Sequence, residues 1–585
     1  MWQGNWRDNV WSRLDEPWDL IVIGGGVTGA GILREASKLG LRCLLVEQRD
    51  FAWGTSSRSS KMVHGGLRYL RDGNLKLVMA AVRERERLIR EGPGLIEPLG
   101  FLLPTFRGVW PGRWTYEAAL SLYDALAWQR DHPYYDRDAF KMLAPHISEV
   151  GLSGGFRYRD AWTDDARLTL RIIREAVAQG AVAISYVAAE NLLFKDGRVI
   201  GVRIRDQVLE RTGDVFAKVV VNATGAWADR LRSQLGARPS IRPLRGSHLV
   251  FPGWRFPVAQ AIGLTHPIDH RYVFVIPWYG ATVVGTTDLD HDRPLDEEQG
   301  TSPAEVAYLM AAVEAMFPSL GLTLDDVIAT FSGVRPVIGT GKADPSREAR
   351  DHEVWEDNGL LTVTGGKLTT FRPIALDVLG RVRRYIPELP TIGEAGPALN
   401  PVALPSDGDE RIEAGVRRAL AGRHGQELPA VLAAAHPGEL EQIPGTPFLW
   451  AELRWAARCE GVVHLDDLLL RRVRLGLLLP DGGAELLPQV RAICQPELGW
   501  EDDRWEAEEA SYLALWRQCY GPPDRTKTPD WKAALRETEA RRAASASQTG
   551  HRLWLVGAAA GLGLAWLALR RRQRQGIDRK SNDSS

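Results

Sequence analysis

Gly24, Gly26 and Gly29 stand at the spacing G-x-G-x-x-G directly after the apolar run that begins at Asp19, and Glu47 ends the next apolar run, Leu41 to Val46. Glycines at this spacing let the backbone turn tightly and approach a pyrophosphate, whose charge the following helix N-terminus favours. An acid at the end of the second strand accepts hydrogen bonds from ribose hydroxyls. A lone glycine run is more often a plain turn; here spacing, strand and acid agree on a dinucleotide site. The next stretch, Gly54 to Tyr69, packs hydroxyls (Thr55, Ser56, Ser60), glycine amides (Gly65) and cations (Lys61, Arg68) around His64. An NAD domain would continue with another strand-helix-strand unit. A loop so composed suits a long ligand that carries phosphates and a polar ring.

These residues need elements to hold them. The runs 19–24, 27–39 and 41–46 read as strand, helix and strand. Arg68 to Arg90 has leucines at helical spacing, and Phe101 to Trp128 reads as a helical excursion interrupted by Pro104 and Pro111. Ala183 to Val202 reads as a hairpin turning at Lys195–Arg198, and Tyr272–Pro277 with Ala281–Thr286 as a second. Val219–Val221 runs into Asn222, Ala223, Thr224 and Gly225, a buried strand stopping at small residues as a parallel strand does where it meets a ligand. From Pro401 the segments 410–425, 428–435, 449–459, 465–479, 484–494 and 505–520 read as helices, with few strand signals.

At 585 residues, 44% hydrophobic and 25% charged, the chain has the composition of a multidomain soluble enzyme. With 73 Lys+Arg against 74 Asp+Glu, the net charge of −1 gives no field for holding nucleic acid. The four cysteines are too sparse for a disulfide framework and too widely spaced for a metal or redox pair, so no metal is expected and reduced cytoplasm fits. The first twenty residues lack the apolar run of a signal peptide. Leu553 to Leu569, by contrast, are 17 residues without charge, with Trp554 and Trp566 near the ends and Arg552 and Arg570–Arg572 outside. That pattern favours a bilayer over a protein core, at the lower edge of spanning length.

The run Thr55 to Leu70 closely resembles the N-terminal signature T-S-S-x-S-S-K-x-x-H-G-G-L-R-Y-L of FAD-dependent, quinone-linked glycerol-3-phosphate dehydrogenases. Further matches are Trp162–Leu168, Asn222–Trp227, Gly246–His248, Phe274–Trp278, Gly285–Asp288, Ser332–Pro336 and Gly365–Thr370, spanning most of residues 19 to 375. Asp466–Arg472 resembles the family's C-terminal domain more loosely. Ala226 stands where the family commonly has proline, which removes no functional group. The apolar tail is the larger departure, since family members are usually peripheral on the membrane.

The resemblance implies an α/β fold: a Rossmann-like FAD-binding domain and an antiparallel-sheet substrate domain interleaved over residues 19–395, then a helical domain over 400–530. A linker (531–552), a membrane segment (553–569) and a basic polar tail (570–585) follow. It implies FAD bound noncovalently, with Gly365, Gly366, Leu368 and Thr369 joining the contacts above, and Arg68, His248, Arg335 and Lys367 gathered at the flavin face. Arginines suit a phosphate dianion, and a histidine suits removal of a hydroxyl proton. Taken singly, each has a plainer role: His248 as a hydrogen-bonded core residue, His64 as packing, Arg335 as a turn residue before Pro336, Lys367 as a solvated cation. The expected activity is oxidation of sn-glycerol 3-phosphate to dihydroxyacetone phosphate with electrons passed to a membrane quinone. The alternatives are a glycerophosphate oxidase that reduces oxygen to peroxide and a flavin-binding membrane scaffold without turnover. The expected setting is the inner membrane, catalytic part in the cytoplasm, with a homodimer as a further expectation.

Overall fold

The computed structural model describes residues 2–67, 75–127, 131–341, 348, 351–390, 396–402 and 412–541. Leu553–Leu569 and the basic tail therefore lie outside the described residues, as does Arg68. Among the described residues no helix is long and apolar enough to cross a membrane.

Two sheets organise the first two thirds of the chain. In the first, Leu360–Gly365, Thr212–Asn222, Trp18–Ile23, Cys43–Val46 and Val182–Ile184 run parallel in that spatial order. His352–Asp357 pairs antiparallel at one edge. Leu20–Ile23, Cys43–Val46 and Val219–Val221 are continuous apolar runs, as strands covered on both faces are. The helices Val27–Lys38, Asp165–Ala178 and Phe371–Val382 share one core with Leu20, Val22 and Val221. The expected hairpin is present as Val187–Lys195 and Arg198–Asp206, continuing antiparallel from the long strand Thr212–Asn222.

The second sheet is mostly antiparallel, and its central strand Ile241–Pro252 pairs with Ala281–Gly285 and with Ala329–Ile338. Side chains alternate across it. Leu249, Phe251 and Val284 face the helix Pro303–Met316. On the opposite face, Val250, Val283, Ala329 and Phe331 pack against Leu453, Leu468, Trp505 and Tyr512 of the C-terminal helices. The helical region thus covers one end of the face whose other end carries His248.

Two expectations are corrected. Phe101–Phe106 is no part of a helical excursion: Ile96–Phe106 is a strand paired along its length with Leu152–Thr163, and only Arg113–Ala127 is helical. Leu102 and Leu103 enter different cores on the two faces of the sheet, so the run lacks the alternation that marks a half-exposed strand. The stretch 465–479 is likewise not one helix but a turn at Leu465–Asp467, a wide π turn at Leu468–Arg472 and a short helix at Leu475–Leu478. From this wide turn the adjacent Arg471 and Arg472 both reach the buried Asp50, at 2.5 and 2.7 Å.

Candidate active site

The ends of four parallel strands open into a cleft of ≈ 570 Å³. Gly24, with φ +111°, turns the chain where Trp18–Ile23 ends, and a β-carbon there would sit 2.6 Å from the Ala223 carbonyl oxygen. Gly29 lets the following helix lie on that turn, since its β-carbon would be 1.9 Å from the Gly24 oxygen. Gly26 is different: its β-carbon would meet only Ser56 Oγ, at 3.1 Å, so its bareness serves the cleft more than the packing.

Glu47 braces the turn as well as lining the cleft. Its carboxylate accepts from the Gly25 N–H at 2.6 Å and from the Arg49 N–H at 2.8 Å, leaving lone pairs for ribose hydroxyls. Burial raises its pKa above the usual carboxylate value, and the two backbone donors pull the other way. On the opposite wall, Gly365 and Gly366 take φ of +79° and +75° and lead into Lys367 and Leu368. Thr364 Oγ1 donates to the Gly225 carbonyl at 3.2 Å, joining this wall to the Ala223–Gly225 turn.

The loop 54–61 ties the cleft to the second sheet. Ser56 Oγ accepts from the Val27 N–H at 2.9 Å, capping the helix, while Thr55 Oγ1 donates to the Val334 carbonyl. Ser60 Oγ lies 2.9 Å from His248 Nε2. The Lys61 ammonium faces inward, bonded to Asp165 at 2.9 Å and to the Ser57 carbonyl at 2.6 Å; it holds the loop rather than lining the cleft. Burial brings its pKa down to about 8 despite that partner.

His248 is enclosed. Its ring stacks on Phe331 with centroids 4.5 Å apart, and on its other side Gly285 has no room for a β-carbon, which would be 2.1 Å from the imidazole. Burial, then the charges of Arg335 and Lys61, holds its pKa well below the ordinary imidazole value, so the ring is neutral near pH 7. Arg335 reaches back along the same face over Gly246, donating to Thr286 Oγ1 and Asp288 Oδ1, both at 3.0 Å. Asp288 also holds Arg271 at 3.0 Å.

Of the residues singled out in the sequence, Gly24, Gly26, Glu47, Thr55, Ser56, Ala223, Thr224, Gly225, Gly365, Gly366, Lys367 and Leu368 line the cleft together. Ser60, His248 and Arg335 form the adjoining cluster. Gly29, Lys61, Gly65, His64 and Thr369 stand behind these walls. Gly65 leaves room for Tyr123 and Val82, and Thr369 Oγ1 bonds both the amide and the carbonyl of His64, at 3.2 and 3.3 Å. The sequence reading missed Arg49, Trp53, Trp227 and Asp296, which also line the cleft. Asp296 bridges its rim by accepting from Trp227 Nε1 at 2.8 Å and Arg230 at 2.7 Å. Only Trp227 carried a signal, as the end of the Asn222–Trp227 match.

Residues 19–372 match the family model of FAD-dependent oxidoreductases, and residues 397–505 match that of the C-terminal domain of α-glycerophosphate oxidase. Glycerol-3-phosphate dehydrogenase 2 of Mycobacterium tuberculosis is 35% identical over 529 residues, covering 87% of this chain and 90% of that protein. The chain belongs to the FAD-dependent glycerol-3-phosphate dehydrogenase family. The aerobic glycerol-3-phosphate dehydrogenase of Bacillus subtilis is 38% identical over 65% of this chain and 70% of its own length. The FAD-complexed glycerol-3-phosphate dehydrogenase of Bacillus halodurans superposes with a TM-score of 0.71 at 28% identity, covering 89% of this chain and 98% of that one. FAD is the cofactor of this glycerol-3-phosphate dehydrogenase family member. Its cleft fits the group, because bare glycines and the N-terminus of a helix with no acid in its first turn meet where a pyrophosphate needs close backbone.

Proposed function

We propose that the chain oxidises sn-glycerol 3-phosphate to dihydroxyacetone phosphate and passes the electrons to a membrane quinone. The observation that carries the reading is the placement of His248 and Arg335 on one sheet face, tied through Ser60 and Thr55 to the loop that walls the FAD cleft. Bound FAD supplies the acceptor for the hydride that leaves C2 of the substrate. The protein's part is to hold the phosphate and take the hydroxyl proton as the C2–O bond becomes a carbonyl. Arg335 is held in place by Asp288 and Thr286, and this paired geometry keeps the guanidinium fixed to face a phosphate dianion. Lys367, at the cleft's Gly-Gly turn, adds a second cation. A neutral His248 accepts a proton at Nε2, which it shares with the Ser60 hydroxyl.

The acceptor rests on the sequence at 553–569: an apolar segment is of no use to an enzyme that reduces oxygen but brings one that reduces a lipid-soluble quinone to the inner membrane, catalytic part in the cytoplasm. Anaerobic addition of glycerol 3-phosphate should bleach the flavin, and quinone should restore its colour faster than air does. Fast reoxidation by air with hydrogen peroxide formation would make it an oxidase, and absence of bleaching would remove the enzymatic reading. A chain ending at residue 541 should keep its rate with a soluble dye and lose most of its quinone-linked rate in vesicles.

A further inference from the structure

A second cavity, of ≈ 530 Å³, opens on the antiparallel-sheet side of the molecule, lined by Phe106, Tyr116 and Met316. Val109 and Val150 line it and are exposed, Val150 at 86%, and the chain beside Val109 carries two uncovered tryptophans, Trp110 and Trp114, 66% and 77% exposed. The turns that bear Val109, Trp110 and Val150 are adjacent, the Arg107 N–H bonding the Gly151 carbonyl at 2.8 Å, and Trp114 follows in the first turn of the helix Arg113–Ala127. Single exposed apolar residues need no explanation; a cluster with two tryptophans around a cavity mouth does. Arg107 and Arg113 are exposed among them. The rim's other wall is the helical stretch 531–541, which contributes Lys532, Leu535 and Arg536. Glu314 and Glu539 are the carboxylates there, and Lys532 pairs with the first at 3.3 Å.

The chain therefore leaves its described part at this rim. Residues 542–552 separate it from the uncharged run 553–569, a tether of at most ~40 Å when extended. We propose that this rim is the face the protein lays on a phospholipid bilayer, Trp110 and Trp114 seated at headgroup depth and Val109 and Val150 beside them. The proposal rests on the membrane reading above and gives it a surface. Amphipathic indole rings flanked by arginines suit that boundary. A short apolar segment and a modest folded patch are each weak anchors, but a tether that presents both to one bilayer makes their binding multiply.

Flotation with vesicles of mixed phosphatidylcholine and phosphatidylglycerol tests this, using the FAD-loaded full chain, a Trp110→Ser/Trp114→Ser variant and a separate Val150→Lys variant. Removing both indoles should weaken partition at least about tenfold, Val150→Lys should weaken it in the same direction, and dye-linked activity should be unchanged. The chain ending at 541 should retain weak flotation that the tryptophan substitutions abolish. If the full chain floats and both variants float equally well, this face is not the docking surface and the membrane reading survives. If the full chain does not float, both fall. If the tryptophan substitutions instead lower the solution mass of the protein with flotation unchanged, the rim joins copies of the chain and the proposal is overturned.

Discussion

At the scale of single residues, the site depends on groups kept out of their usual charge or solvation. His248 is neutral because it is buried beside cations. Its folded pKa lies below the value of about 6.5 in the unfolded chain, so between those values only the unfolded chain binds the proton. The stability it contributes is complete above that pH and is lost on acidification, by up to ~1.4 kcal/mol per pH unit. His248→Gln should flatten the acid limb of Tm against pH relative to the parent, and parallel limbs would show that the ring is not held neutral. On the proposal that Arg335 holds the substrate phosphate, Arg335→Ala should raise KM for glycerol 3-phosphate about 10- to 100-fold, with little change for glycerol. Equal losses for both substrates would give Arg335 a structural role instead.

Elements meet at the cleft through glycines that do different work. Gly29 has no space for a side chain against the Gly24 carbonyl, whereas Gly26 faces Ser56 and the cleft. Gly26→Val should therefore leave the FAD-free protein near parental stability in denaturant while abolishing flavin binding. Gly29→Val should lower that stability itself, by about 1–3 kcal/mol or more, because the helix Val27–Lys38 must move off its strand. Similar denaturation midpoints for the two would contradict this division of labour. The sheet Ile241–Pro252 works by the same economy: Gly246 clears Arg335 and Gly285 clears His248, so two bare positions on neighbouring strands leave the site its volume.

In the whole molecule, the C-terminal helices are locked to the FAD-binding part by buried ions. Arg472 chelates Asp50, three residues beyond Glu47, at 2.7 Å through each of two nitrogens, and Arg474 holds Asp164 beside the Lys61–Asp165 pair. Removing Arg472 takes two charge-assisted hydrogen bonds from Asp50 and leaves it paired with Arg471, so Arg472→Ala should cost about 1.5–3 kcal/mol and loosen FAD as well. Denaturation followed by helical signal and by flavin release should then shift together. If only the helical signal moves, the two regions are energetically separate.

The strand-glycine-helix start, the two hairpins and the parallel strand ending at Asn222 were legible in the sequence, because each rests on local spacing: glycines against a strand, period-two runs about a turn. The cleft wall at Gly365–Leu368 was named only through the family resemblance, and Arg49, Trp53 and Asp296 had no signal. The strand at Ile96–Phe106 was not legible, since burial on both faces erases the alternation that would mark it, nor was the π turn at Leu468–Arg472, whose arginines pair with a carboxylate more than four hundred residues away. The resemblance implied that His248 and Arg335 gather at the flavin face, but not which elements bring them there. That they share one face, that Lys61 turns inward to Asp165, and that Asp296 closes the cleft's rim were decided by strand register and by which charges the fold buries together. Those depend on contacts between distant segments, and no local spacing encodes them.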